Sequence, residues 1–228
     1  MRMLAVFEKS ERIRHIGHLD IQRSVQRGLR RSGLPVAYSQ GFNPHILVTF
    51  ASALSTGACG RREIMDVTMA DEVEPEVFIR KMNLAMPPEV QLSEARKLDN
   101  KHPGLMGLME AADYDLVIRD CDLAEKLITV IPEMLSEDKI ITLRKTKTRI
   151  QECDIKPLII SLAAEKKEGI THLRTMLVQN ERVSCKPQML LEALKDKAGI
   201  TQEIRMLVIR EGIYGRDQNG VLVPLEKL

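Results

Sequence analysis

The sequence lacks the long apolar segments and paired cysteines that mark membrane-spanning proteins and disulfide-bonded or metal-binding domains. No apolar run approaches the roughly 18 residues that span a bilayer, and the charged N-terminal stretch differs from a secretory signal. The cysteines are scattered without a CxxC pair, which argues against zinc-ribbon and iron–sulfur sites. They stand at Cys59, Cys121, Cys153 and Cys185. We therefore predict a cytoplasmic protein with free thiols and no membrane contact.

Aromatic residues are also scarce, at 3%, and tryptophan is absent. The twelve methionines are expected to fill part of the cores, because methionine adapts to irregular gaps. Familiar catalytic signatures are missing: there is no P-loop, no GxGxxG, GxSxG or HExxH motif, and no CxxxCxxC motif for a radical-SAM cluster. These absences disfavour a self-contained cofactor enzyme, and we expect no cofactor.

The formal net charge of +2 conceals an uneven distribution along the chain. Residues 1–62 contain ten Lys or Arg against three Asp or Glu, whereas the other 166 residues contain 24 basic and 29 acidic side chains. A basic segment on an otherwise slightly acidic protein indicates a surface that faces a polyanion or an acidic partner.

The first half of the chain is predicted to follow a βαββαβ order. Its main helix is indicated by Ile21, Val25 and Leu29, which fall on one face at helical spacing, and Gly33 follows as a stop signal. The predicted elements are a strand over 2–8, a short extended stretch over 13–17, a helix over 19–32, strands over 46–51 and 63–70, a helix over 75–85 and a strand over 90–98.

The second half nearly repeats this order after a partly helical connector over 99–112. The predicted elements are a strand over 113–119, a helix over 121–135, a strand over 139–146, a hairpin of 154–164 with 172–179, a helix over 187–199 and a strand over 203–215. Pro132 should kink or shorten its helix. The fold class is therefore α+β, with two ferredoxin-like units in tandem over 1–98 and 113–228.

A second basic stretch is expected on the strand that precedes this hairpin. Lys145, Lys147 and Arg149 alternate along it and should share one face. They either extend a basic surface or keep a sheet edge soluble, and the second reading is favoured.

A cluster of titratable residues surrounds the start of the first long helix. His15, His18 and Asp20 lie within six residues, and His45 lies on a later loop. Three interpretations stay open: a divalent metal site, acid–base chemistry by imidazole, or a structural role in which Asp20 caps the helix amides and His18 packs beneath the loop. The spacing matches no zinc signature, so no metal site is predicted, and the catalytic candidates are His18, Asp20 and His45.

The same helix carries an arginine stripe at spacings of i, i+4 and i+7, formed by Arg23, Arg27 and Arg30. Arg31 broadens the stripe, and Arg12 and Arg14 precede it. Guanidinium groups in a row suit phosphate groups in spacing and geometry. The stripe predicts contact with RNA or another anion, with an acidic protein partner or a solvated face as the alternatives.

The segment Tyr38–His45 combines polar side chains with two of the chain's seven aromatic residues. Tyr38 and Phe42 are candidates for stacking on unpaired bases, although the same rings could pack into the core. The polar members Ser39, Gln40 and Asn43 complete the predicted RNA-binding set, which also contains Arg14, Arg23, Arg27, Arg30 and Arg31.

Three motifs together resemble the radical-SAM-linked proteins, a domain of unknown function found free or fused to cobalamin-binding radical-SAM enzymes. They are the Gly-His-Leu-Asp box at 17–20, the Tyr-Ser-Gln-Gly-Phe-Asn-Pro-His loop at 38–45 and the Asp-Ile-Lys-Pro-Leu-Ile stretch at 154–159. The first box departs from the family pattern, because Gly17 stands where the family has serine, which weakens any role for a hydroxyl group there.

The resemblance implies a partner more than a reaction. It implies an accessory protein without independent activity that presents RNA, or another anionic substrate, to a separate radical-SAM modification enzyme. One alternative is a metal-independent RNA-processing enzyme, a nuclease or transferase, that uses His18 or His45. Another is a scaffold that binds only protein.

Overall fold

The structure is a computed structural model that describes residues 1–145 and 150–228. The chain forms two compact units, one made of residues 1–110 and 210–228 and the other of residues 111–209. We call them unit 1 and unit 2. Both combine helices with antiparallel strand pairs, so the fold class is α+β, as the sequence predicted.

Unit 1 begins with six elements in the predicted βαββαβ order, followed by a single helical turn. They are β1 (Arg2–Lys9), α1 (His18–Arg31), β2 (Val48–Phe50), β3 (Ala58–Thr68), α2 (Pro75–Ala85), β4 (Leu92–Leu98) and α3 (Leu105–Leu108). β1 pairs with both β3 and β4, and β2 pairs with β3, all antiparallel. The strand neighbours therefore run β4, β1, β3, β2.

The core of unit 1 lies between α1, α2 and one face of these strands. Ile21, Val25 and Leu29 of α1 are buried in it, which confirms the predicted apolar face. Gly28 lies on this face, and a Cβ built there would stand 2.3 Å from the Met86 sulfur. Only glycine therefore permits this contact without a shift of Met86. The opposite side of α1 is left to solvent.

Unit 2 combines three paired strands with two helices and a separate hairpin in the part of the chain that the structure describes. Its elements are β5 (Ala111–Ile118), α4 (Cys121–Ser136), β6 (Ile141–Lys145), β7 (Ile150–Asp154), β8 (Ile159–Lys167), β9 (Ile170–Val178) and α5 (Pro187–Lys197). β9 lies between β5 and β8, whereas β6 and β7 pair only with each other in the part of the chain described. Glu168 and Gly169, both at positive φ, form the tight turn between β8 and β9.

The C-terminal segment returns to unit 1. It contains β10 (Met206–Arg216), whose residues from Arg210 onward belong to unit 1, and β11 (Leu222–Pro224), which pairs with β10. Two buried charges fix the segment: Arg210 Nε and Nη2 donate to the two carboxylate oxygens of Glu63, at 2.8 and 2.5 Å. The sequence boundary at residue 113 gave this segment to the second unit, and this long-range pair explains the difference.

Several local expectations differ from the structure. The stretch over 13–17 is not extended: a 3₁₀ turn covers Glu11–Ile13, and turns lead from it into α1. Pro132 does not shorten α4, which continues to Ser136. The strand β7 was not predicted. Of the basic alternation in this region, Lys147 and Arg149 lie outside the described residues, as does the side chain of Lys145.

No helix in the described ranges is long and apolar enough to cross a bilayer.

Candidate functional site

The segment that leads into α1 is held by a buried lysine at the end of β1. Lys9 is 2% exposed, and its ammonium donates to the carbonyl oxygens of Arg14, Ile16 and Ala58 at 3.0, 2.8 and 3.0 Å. The three acceptors match the three hydrogens of the ammonium, while burial lowers the pKa of Lys9 from its ordinary value. This anchor fixes the position at which α1 begins.

His18 is the first residue of α1 and is half-buried beneath its first turn. Its ring lies edge-on to Phe50, with ring centroids 5.2 Å apart. The ring lines a cavity of about 10 Å³ together with Lys9 and Glu63, room for one water molecule at most. Burial lowers the pKa of His18; Glu63 opposes this effect, and Arg210 and Lys9 add to it. His18 is therefore a neutral, packed imidazole at neutral pH.

Asp20 does not cap the helix, contrary to the structural interpretation of the sequence. The N-cap is Gly17, which has no side chain to bond the helix amides. The carboxylate Oδ1 of Asp20 instead accepts from Arg23 Nη1 at 2.9 Å, and both side chains are exposed. His15 is exposed as well. The first box thus contributes a surface ion pair and a packed histidine, two separate features.

The arginines of the predicted stripe differ in what they already contact. Arg23 is paired with Asp20, and Arg31 Nη2 donates to the Ala85 carbonyl at 2.6 Å. Arg27 and Arg30 are exposed and have no hydrogen bond or ion pair to any residue that the structure describes. Because they are three residues apart on the helix, their side chains leave neighbouring positions on its surface. They form the pair with the most free bonding capacity.

Arg14, by contrast, lies beside Glu11. Its Nη1 is 3.6 Å from the Glu11 carboxylate and 3.3 Å from the Glu11 carbonyl oxygen. This local pairing reduces its capacity to hold an anion.

The loop after α1 is closed at its base by Ser39 and His45. The Ser39 amide donates to the His45 carbonyl at 2.8 Å, and the His45 amide donates to Ser39 Oγ at 3.1 Å. Ser39 Oγ is also 2.8 Å from His45 Nδ1. A hydroxyl oxygen can accept twice and donate once, so the imidazole tautomer sets which of the two atoms donates.

Residues 40–44 form the tip of this loop, and we call them the loop tip. All five are exposed, and the Phe42 side chain has no protein cover at all, at 111% exposure. Tyr38, at the base, is 44% exposed. The alternative in which these rings pack into the core is therefore wrong for Phe42. Gln40 and Asn43 stand beside it on the tip.

His45 lines a second, larger cavity of about 400 Å³ on the opposite face of the sheet from the helices. The face follows from the register: Thr49 pairs with Asp66 in this cavity, whereas the adjacent pair Phe50 and Met65 belongs to the core. His18 packs against Phe50, so the structure does not bring His18 and His45 into one site. No group of three or more His, Cys, Asp or Glu side chains suited to a metal occurs among the described residues.

This second cavity contains two residues that the sequence reading missed, Arg2 and Asp66. Asp66 is a lone acid within the otherwise apolar run of β3 from Ile64 to Val67. A charged residue inside an apolar strand was the available signal, since such residues are rarely buried unless paired.

Comparisons with known proteins identify a family but no function. The profile of a family described as "Uncharacterized protein conserved in bacteria (DUF2344)" matches residues 2–187. That description says nothing of radical-SAM enzymes, so the link drawn from the motifs stays a prediction. A search of proteins of curated function finds no match.

Two solved structures align over 92% of this chain at low similarity. One is an unknown protein from Galdieria sulphuraria, with 11% identity, 97% of its own chain covered and a TM-score of 0.26. The other is a putative glycine cleavage system transcriptional repressor, with 9% identity, 98% coverage and a TM-score of 0.21. At these TM-scores neither structure supports an argument about this chain.

Proposed function

We propose, for a chain that belongs to the DUF2344 family of uncharacterized proteins conserved in bacteria, that unit 1 binds single-stranded RNA through α1 and the loop tip. In this account Arg27 and Arg30 hold phosphates, and Phe42 stacks on an unpaired base. The observation that carries the proposal is Phe42, which is fully exposed on a loop that follows a helix with unpaired arginines.

The exposed ring of Phe42 keeps an apolar surface in contact with water, which costs free energy. An exposed phenylalanine at a loop tip gains nothing from folding, because its apolar surface stays in water. Stacking on a base would bury that surface without sequence preference. Arg31 and Tyr38 are seven residues apart, so the end of α1 and the loop base are at most about 25 Å apart along the chain. A short strand of RNA spans this distance.

The remaining members of the predicted set have supporting roles in this proposal. Ser39 holds the loop base, Gln40 and Asn43 offer amide groups beside Phe42, and Tyr38 offers a second ring. Arg14, Arg23 and Arg31 add positive charge, although each already contacts protein.

The proposal includes a protein partner and a cellular compartment. The motifs at 17–20, 38–45 and 154–159 resemble the radical-SAM-linked proteins, and on that ground the RNA would be presented to a separate radical-SAM modification enzyme in the cytoplasm. The four free cysteines suit a reducing compartment. We also propose that each unit is ferredoxin-like, on the element order and, in unit 1, on the neighbour order β4, β1, β3, β2.

The direct test is RNA binding by the full chain over a range of salt concentrations. Arg27→Ala combined with Arg30→Ala should weaken binding and reduce the slope of log affinity against log salt by about 1.4, since each phosphate contact on a single strand contributes about 0.7. The matched control is a single Arg80→Ala, an exposed arginine of α2, which should change neither quantity. An unchanged slope in the double variant would contradict the proposal.

A further inference from the structure

A 400 Å³ cavity on the sheet face opposite the helices of unit 1 is not explained by the proposed phosphate and stacking contacts. Its polar wall is formed by Arg2, His45, Thr49, Asp66 and Thr68. The volume falls in the range of sites for small organic groups. We call it the Asp66 cavity. His45 belongs both to this wall and to the base of the Phe42 loop, so the cavity opens beside the proposed RNA contact.

The polar groups of the cavity are unequally satisfied. Arg2 Nε and Nη2 both donate to the same oxygen of Asp66, Oδ2, at 2.9 and 2.5 Å. The other oxygen, Oδ1, is buried and has no hydrogen-bond partner among the described residues. The Asp66 side chain as a whole is only 7% exposed. A buried acceptor without a donor costs free energy, and such a group in a folded protein calls for an explanation, of which a bound donor is one.

The chemistry of this wall selects against a phosphate. Arg2 Nη1 donates to the His102 carbonyl and Nη2 also reaches the Pro103 carbonyl at 3.3 Å, so the guanidinium is occupied by protein. The charges of Arg2 and Asp66 cancel, and the free carboxylate oxygen repels an anion. What the cavity lacks is a neutral group that donates to Oδ1. The two threonine hydroxyls can donate to an acceptor on the same group.

We propose that the Asp66 cavity receives one unstacked nucleobase with an amino group on its pairing edge, held by a hydrogen bond from that amino group to Asp66. Adenine, cytosine and guanine have such a group, and uracil does not. Carboxylates accept from amino groups of bases in this way. Oδ1 is shielded from solvent in the structure, so a base reaches it only after the Asp66 carboxylate turns toward the cavity about its soft terminal torsion. The proposal rests on the proposed RNA binding only for the source of the base.

The experiment compares binding of homopolymeric A, C, G and U oligonucleotides and of the four free nucleosides to the full chain. For the wild type we expect A, C and G oligonucleotides to bind more tightly than U. Asp66→Asn should weaken their binding about tenfold, the loss of one hydrogen bond to a charged group, and leave U unchanged. Circular dichroism checks that the variant is folded.

A second variant leaves the ion pair of Arg2 and Asp66 unchanged. Thr49→Trp, at an exposed position on the cavity wall, should fill the space and produce the same loss. If both variants bind all oligonucleotides as the wild type does, the base site is contradicted while RNA binding stands. If no RNA binds but A, C and G nucleosides bind and depend on Asp66, the site stands as a free-nucleoside site and the proposed function fails. If the protein binds neither RNA nor nucleosides, both the base site and the proposed function are overturned.

Discussion

The ring of His18 lies edge-on to the ring of Phe50, with the ring centroids 5.2 Å apart and the planes at 84°. Phe50 in turn meets Phe7 edge-on at 5.9 Å. His18 is therefore part of the aromatic edge of the unit 1 core, whereas His45 lies on the other face of the sheet with Arg2 and Asp66. The two histidines that motivated a catalytic interpretation have different surroundings, and a mechanism that uses both at one atom has no support in this geometry.

His18 should make the stability of the protein depend on pH. Its pKa is lowered in the folded state by burial, so on acidification the unfolded chain takes up the proton first, near the ordinary value of 6.5. The stability is thus complete above about pH 7 and is lost as the pH falls through the folded pKa. Denaturant unfolding of the wild type should show a fall in unfolding free energy below pH 6.5 that His18→Gln lacks.

The matched control for this prediction is His15→Gln, because His15 is exposed on the same segment. It should keep the full pH dependence of the wild type. A His18→Gln variant whose unfolding free energy falls in parallel with the wild type would show that other groups cause the dependence.

Replacement of Phe42 should separate binding from stability. Because the side chain is fully exposed, Phe42→Ala should leave the melting temperature unchanged. Loss of one stacked base should weaken RNA affinity by about 1–3 kcal/mol, and Phe42→Tyr should retain most of it. Fluorescence anisotropy with a single-stranded RNA measures both variants, with Leu84→Ala, an exposed apolar residue of α2, as the control.

The buried pair Glu63 and Arg210 should dominate the stability of unit 1. Glu63→Gln leaves the Arg210 charge without its carboxylate at 1% exposure, which should cost about 3–5 kcal/mol of unfolding free energy. The double change Glu63→Leu with Arg210→Met removes both charges and should recover most of that loss. Lys97→Gln, in the exposed pair with Glu74, should have little effect. A double variant no more stable than Glu63→Gln would contradict this account.

Local features of the fold were predictable from the sequence, whereas long-range contacts were not. The spacing of Ile21, Val25 and Leu29 is a local pattern, and the structure confirms the helix and its buried face. The bond between Glu63 and Arg210 joins residues 147 positions apart, and no local pattern reveals it. For the same reason the sequence assigned residues 210–228 to the second unit.

In the candidate site, too, local features were predictable from the sequence and side-chain contacts were not. Exposure of the α1 arginines followed from the apolar face on the other side of the helix. Spacing alone does not decide which arginines are already paired. That depends on side-chain contacts such as those of Arg23 with Asp20 and of Arg31 with the Ala85 carbonyl. Asp66 was read only as part of a strand, because its partner Arg2 is 64 positions away.

The central claim is that unit 1 holds RNA through Arg27, Arg30 and the loop tip. It is tested most directly by crosslinking the tagged protein in its native cells and sequencing the recovered RNA, beside the Arg27→Ala and Arg30→Ala double variant. The account predicts that one class of RNA is enriched with the wild type and lost with the double variant, while Arg80→Ala behaves as the wild type. No RNA above background with the wild type would contradict it.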